Sequence, residues 1–121
     1  MTINEIANQL VALCKEGKFL EAIKTLYSDN ATGLEPMSFG GMPRESNGKA
    51  AILAKGEWWQ GAHEIHSMGV DGPFVSPEFF AVIFTMDVTN KASGKRMQGR
   101  EVALYTVADG KITSDQFLGG V

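Results

Sequence analysis

The chain has 121 residues, 44% of them hydrophobic and 21% charged, with a net charge of -3, a pI near 5.3 and a mean hydropathy of -0.07. That length suits one domain, residues 1–121, with a single hydrophobic core, and that balance supports neither a disordered nor a membrane-embedded chain. The 11 basic residues are scattered except for Lys91, Lys95, Arg96 and Arg100, which flank a hairpin tip and read as a solvated turn, so nucleic-acid binding is disfavoured.

Thr2-Ile3-Asn4-Glu5 has the spacing of a capping box, in which the threonine hydroxyl and the glutamate side chain satisfy free N–H groups at a helix start. Ile3, Ile6, Ala7, Leu10, Leu13 and Cys14 then share one helical face, and Gly17 supplies the stop. Cys14 has no partner for an internal disulfide and reads as core. A second helix follows, with Phe19, Ile23, Leu26 and Tyr27 as its buried stripe and Ser28-Asp29-Asn30 as its turn-like end.

Ala31 to Pro36 reads as a short edge strand, since proline favours an extended Glu35 before it. Met37 to Gly48 reads as a loop of about a dozen residues and a candidate lid. A third helix is predicted from about Ser46 to Gln60, with Gly56 in its interior either weakening it or letting it lie close to other backbone. Four strands follow, at Ala62 to Val70, Glu78 to Thr89, Met97 to Val107 and Lys111 to Leu118, separated by turn residues at Asp71-Gly72-Pro73, Asn90 to Lys95 and Ala108-Asp109-Gly110. No basic leader and apolar run opens the chain and no stretch of eighteen apolar residues occurs, so the expected location is the cytoplasm.

Helices grouped ahead of the strands cannot interleave with them. That excludes a doubly wound parallel sheet and predicts an α+β fold, with helices packed on one face of a bent, mostly antiparallel sheet. A sheet curled around a long helix leaves a gap at its open end, where small ligands usually bind.

Gly17-Lys18-Phe19, Leu26-Tyr27-Ser28-Asp29-Asn30-Ala31-Thr32, Glu35-Pro36, Gly48-Lys49 and Asp109-Gly110-Lys111-Ile112, in this order and spacing, resemble the SnoaL-like branch of the nuclear transport factor 2-like superfamily over nearly the whole chain. The resemblance implies a cone-shaped α+β barrel with a pocket inside and, often, a homodimer through the outer sheet face. It implies no single reaction, because similar proteins include isomerases, cyclases, hydrolases, dehydratases and domains that only bind or assemble. Glu35 before Pro36 is similar in position to the general base of ketosteroid isomerase. The positions corresponding to that enzyme's two oxyanion donors hold Leu10 and Ala103, which argues against steroid isomerisation by that mechanism.

Glu35 is a candidate general base if it faces an apolar pocket, because such surroundings raise a carboxyl's pKa toward neutrality; otherwise it is a solvated glutamate on an edge strand. On the first long strand Glu64 and His66 share one face while His63, Ile65 and Ser67 share the other. If Ile65 marks the core, His63 points inward; if Met68 and Val70 mark it, His66 does, and similarity to SnoaL-like sequences with Glu-Ile-His here favours His66 as a proton-transfer residue. Glu101, Ala103, Tyr105 and Val107 share a face of the next-to-last strand, which the resemblance places inside. Tyr105 would then donate to a carbonyl oxygen or serve as packing, and Glu101 would act as an acid, orient His66, or pair with Arg100 or Lys95 on the surface.

Asp115 and Phe117 share the inward face of the last strand by the same resemblance. Asp87 is a possible neighbour of Glu101, depending on a hairpin register that the sequence leaves open. Trp59, Phe84, Met86 and Phe117 are the candidate ligand-binding wall. No set of His, Cys and carboxylate residues has metal-ligand spacing, and neither a nucleophile elbow nor a phosphate-binding glycine loop occurs, so no metal and no cofactor are expected. The expectation is a binder of a small hydrophobic, carbonyl-bearing molecule, with cofactor-free acid/base chemistry by Glu35, His66, Glu101, Tyr105 and Asp115. The alternative is a non-catalytic domain whose cone is filled by its own side chains and whose sheet dimerises or binds a protein.

Overall fold

The computed structural model describes residues 1–38 and 41–119. Helix α1 (Ile3–Lys15) starts on the expected capping box: the Thr2 hydroxyl accepts from the Glu5 N–H at 3.2 Å, and the Glu5 carboxylate accepts from the Thr2 N–H at 2.9 Å. Gly17, at φ +76°, takes the left-handed conformation that reverses the chain into α2 (Phe19–Leu26). Ser28-Asp29-Asn30 does not form the expected turn, because Tyr27 is already extended and opens strand β1 (Tyr27–Leu34). The register between β1 and the last strand shifts between Tyr27 and Thr32, so the turn-favouring residues sit at an irregularity inside the strand.

Within the expected loop, Glu45–Asn47 pairs antiparallel with β1 as the short strand β2. The helix predicted from Ser46 therefore begins later, as α3 (Lys49–Ala62), after Gly48 has turned the chain at φ +95°. Part of the candidate lid, Phe39-Gly40, lies outside the described residues. Gly56 does allow close approach, though to a side chain: an added Cβ would stand 2.9 Å from the Leu20 Cδ2 of α2.

Strands β3 (His63–Val75), β4 (Phe79–Asn90), β5 (Arg96–Ala108) and β6 (Lys111–Leu118) form an antiparallel meander. The sheet order is β2-β1-β6-β5-β4-β3. Two sequence expectations are corrected here. Ala31 to Pro36 is no edge strand, because β1 lies between β2 and β6 and runs parallel to β6. Asp71-Gly72-Pro73 does not end β3, because the strand accommodates it with a register shift between Asp71 and Phe74.

The core lies between the helices and the concave sheet face, where Ile6, Leu10, Leu26 and Ile52 meet Phe80, Val82 and Ile112. Full burial of such side chains contributes roughly 1.5–3 kcal/mol each. Cys14 is buried among them, and burial pushes its thiol pKa up to about 12, so it stays protonated and packs as a small hydrophobe.

Candidate functional site

Directly opposed residues in paired strands point to the same side of a sheet, so the register alone assembles the inner face. Phe84 faces Glu101, Val82 faces Ala103 and Phe80 faces Tyr105 across β4 and β5. Ala103 then faces Phe117 and Tyr105 faces Asp115 across β5 and β6, and Asp115 faces Gly33 across β6 and β1. Phe80, Val82 and Ala103 are wholly buried, which identifies this as the concave side. Glu101, Tyr105, Asp115 and Phe117 therefore share one surface, with Glu35 just beyond the end of β1.

Asp115 is only 3% exposed. Its Oδ2 accepts a 2.5 Å hydrogen bond from the Tyr27 hydroxyl, and its Oδ1 has no partner among the described residues. Burial pushes its pKa up to about 6, with the Tyr27 bond and the Lys55 charge pulling the other way. Glu101 is pushed up to about 7 by burial and then by the negative charges of Glu35 and Asp115, with Lys55 opposing them. A carboxyl poised there can both give and take a proton near neutral pH.

Tyr105 stacks on Phe80 with ring centroids 4.8 Å apart, and burial followed by the charge of Asp115 holds its phenol well above the ordinary value. It stays protonated and can only donate or pack. Glu35 is neither solvated nor isolated: its Oε1 accepts from Lys55 Nζ at 2.7 Å, and each side chain of the pair is 15% exposed. The Lys55 ammonium also stands 5.7 Å from the centroid of the Phe117 ring.

Gly33 is required beside this cluster, because a Cβ there would lie 2.8 Å from Asp115 Oδ1. Gly33→Ala is expected to lower the free energy of unfolding by about 1–3 kcal/mol through overpacking. Thermal and urea unfolding measure this, and wild-type stability would contradict the crowding.

His66 is corrected. It is exposed on the convex side, where its Nε2 lies 2.7 Å from the Thr89 hydroxyl oxygen, so no cavity is touched jointly by Glu35, His66 and Glu101. The register shift between Ile65 and Ser67 leaves His66 as the unpaired residue of a bulge, and the strand changes parity there. Both sequence alternatives are thereby met in part: His63 is buried, with its Nδ1 2.8 Å from the Trp59 carbonyl oxygen, and Met68 and Val70 also lie on the packed side. His66→Ala is expected to change the unfolding free energy by less than about 0.5 kcal/mol and to leave ligand affinity unaltered, as titration calorimetry would show.

Asp87 does not neighbour Glu101. It faces Gln98 across the hairpin and is clamped on the convex side by Arg96, whose Nε and Nη2 donate at 2.8 and 2.7 Å. Of the expected apolar wall, Phe84 and Phe117 adjoin the carboxylates. Trp59 instead stacks on His63 with centroids 4.6 Å apart, and Met86 faces Met68 toward the far end of β4.

Two site residues were missed by sequence reasoning. Tyr27 was assigned to a helix stripe but points inward from β1. Lys55 had a readable signal: it falls three residues after Ile52 and four before Trp59, on the packed stripe of α3, where an unpaired lysine is unfavourable.

Among the described residues, no group of three His, Cys, Asp or Glu side chains is arranged to hold a metal, and no helix is long and apolar enough to cross a membrane.

The model of the SnoaL-like domain family matches residues 1–118. The chain belongs to this family. A protein from Mesorhizobium loti, provisionally named a SnoaL-like polyketide cyclase and also a carbohydrate phosphatase, is 42% identical; the match covers 98% of this SnoaL-like chain and 99% of that one, with a TM-score of 0.92. An NTF2-like protein of unknown function from Burkholderia pseudomallei shares 18% identity over 99% of this chain and 92% of its own, with a TM-score of 0.77. A protein of ketosteroid isomerase-like fold from Catenulispora acidiphila, solved in complex with trimethylamine, shares 16% identity over 100% and 88%, with a TM-score of 0.73. These two show the fold alone. No curated protein matches the sequence.

Proposed function

We propose that this SnoaL-like protein binds a small hydrophobic carbonyl compound in its cone and exchanges a proton with it without a cofactor, Glu101 being the group that gives and takes the proton. The observation that carries this reading is the convergence of three carboxyl groups, Glu35, Glu101 and Asp115, on one inner face against Phe84 and Phe117. Three acids beside one lysine are unfavourable inside an apolar cone and add nothing to packing, whereas a carboxyl whose pKa its neighbours raise is suited to proton transfer. The 42% identical protein named for polyketide cyclisation supports a carbonyl-bearing ligand. Asp115 and Tyr105 set the electrostatics beneath the site, and Glu35 positions the cation beside it.

Native mass spectrometry of protein purified from its host is expected to show a retained small molecule. Carbon-13 NMR of the Glu101 carboxyl is expected to show its titration displaced by that molecule. Protein that carries no ligand, with a Glu101 titration unmoved by a panel of aromatic ketones, would sink the reading.

One observation favours a second reading, a non-catalytic domain. Much of the cone is filled by Phe80, Val82, Phe84, Leu10 and Tyr105, and hollows of about 340 Å³ beside β1 and β2 and about 560 Å³ between α2 and the end of α3 do not touch Glu101. The convex face exposes Phe74 and Phe79, which supports a homodimer under either reading. Sedimentation equilibrium tests the dimer, and a monomer at micromolar concentration would overturn it.

A further inference from the structure

Lys55 is the cation whose charge opposes the upward push on both Glu101 and Asp115. α3 is packed on both sides of it in sequence, because Ile52 is buried on the same stripe and Gly56 lies against Leu20. Lysine seldom occupies such a position unless paired, and here the pair with Glu35 uses one of its three N–H donors. The missing side chain at Gly33 lets the ammonium and Asp115 Oδ1, which has no partner among the described residues, approach one point: a Cβ there would lie 3.6 Å from Lys55 Nζ and 2.8 Å from that oxygen.

A proton taken from the carbon beside a carbonyl leaves negative charge on the carbonyl oxygen, and that charge needs a donor already in place. Glu35 accepts and cannot donate while paired, the Tyr27 hydroxyl is committed to Asp115, and Tyr105 is 3% exposed. The Lys55 side chain is 15% exposed and lies over the Phe117 ring, so it is the donor an incoming ligand can touch.

We infer that Lys55 is a catalytic residue of this site, its ammonium donating to the oxygen of a neutral, enolisable carbonyl compound; this rests on the reading of the cone as a proton-transfer site. The ligand is neutral because Glu35 and Asp115 repel an anion in the ground state, and its apolar part lies against Phe117, the partly exposed ring beneath the Lys55 ammonium. The Glu101 carboxylate takes the proton from the carbon beside the carbonyl, and the C–H electron pair becomes the C=C bond of an enolate. The carbonyl π pair moves onto the oxygen held by Lys55, and return of the proton from Glu101 to carbon restores a carbonyl compound, so no oxidant or reductant is needed.

The probe is 4-nitrophenol, whose phenolate resembles an enolate and absorbs differently from the neutral phenol. The bound probe is expected to ionise at roughly ten-fold higher proton concentration in the wild type than in Lys55→Met, and Lys55→Arg is expected to retain most of that shift. Equal ionisation in wild type and Lys55→Met, with the probe bound to both, would overturn the role of Lys55. Should Lys55→Met fail to fold, the nitrogen-15 resonance of Lys55 Nζ in the wild type gives the same test: it must move when the probe is added, and a stationary resonance overturns the inference. Deuterium exchange of 2-tetralone in heavy water separates the two levels. Exchange catalysed equally by wild type and Lys55→Met sinks Lys55 and leaves the proton-transfer reading standing; no exchange and no bound probe sinks both.

Discussion

Replacing Glu101 with glutamine is expected to raise the unfolding free energy at about pH 8 by roughly 3 kcal/mol and to leave it nearly unchanged at about pH 4. The folded protein holds this carboxyl near 7, against an ordinary value of 4.5. Below 4.5 the group is protonated in both states and costs nothing. Between 4.5 and about 7 the unfolded chain releases the proton while the folded chain keeps it, so stability falls as pH rises, and above 7 the loss is complete.

Asp115 acts in the same sense between 3.8 and about 6, so the variant keeps part of the slope. Asp87, held well below the usual carboxylate range by Arg96 and Gln98, acts in the opposite sense and only in more acid solution. Urea denaturation across this range measures the effect, and identical slopes in wild type and Glu101→Gln would show that the folded protein does not hold Glu101 near 7. The same variant is expected to abolish proton exchange with a bound ketone, because an amide cannot take the proton. More stability with less activity would set Glu101 apart from a packing residue.

Lys55→Met is expected to lower the unfolding free energy by about 2–4 kcal/mol at about pH 8, by less at about pH 5, and to push the titrations of Glu101 and Asp115 further up. Removing one partner of a largely buried pair leaves the other charge uncompensated, here Glu35 at 15% exposure. Two more carboxyls then lose the one cation that opposes their rise. In acid the carboxyls take up protons and the penalty shrinks. Adding Glu35→Gln removes the stranded charge and is expected to recover most of the loss. A double-mutant cycle with no coupling between Lys55 and Glu35 would contradict the ion pair.

Much of the fold was legible because it is local. The capping box at Thr2, the stop at Gly17 and the bounds of β6 follow from chemistry within a few residues, and α+β follows from the order of helices and strands. The inward face of Glu101, Tyr105, Asp115 and Phe117 was readable too, through the resemblance, because β5 and β6 keep a period of two where these residues lie. His66 was misplaced because a bulge changes that period, and the composition around it carries no sign of a bulge.

What the sequence alone determined is the set of elements and the residues available to an inner face, because helix caps, hairpin turns and alternation act between neighbours along the chain. The tertiary structure decided which of those residues meet. Strand β1 joins β6 in parallel across the length of the chain, Gly33 thereby comes to lie beside Asp115, and α3 then carries Lys55 to Glu35. The acids of the cone are written in the sequence. The helical stripe marks Lys55 as a packed lysine, but that it meets these acids is set by a helix packing over a strand register, which no local pattern encodes.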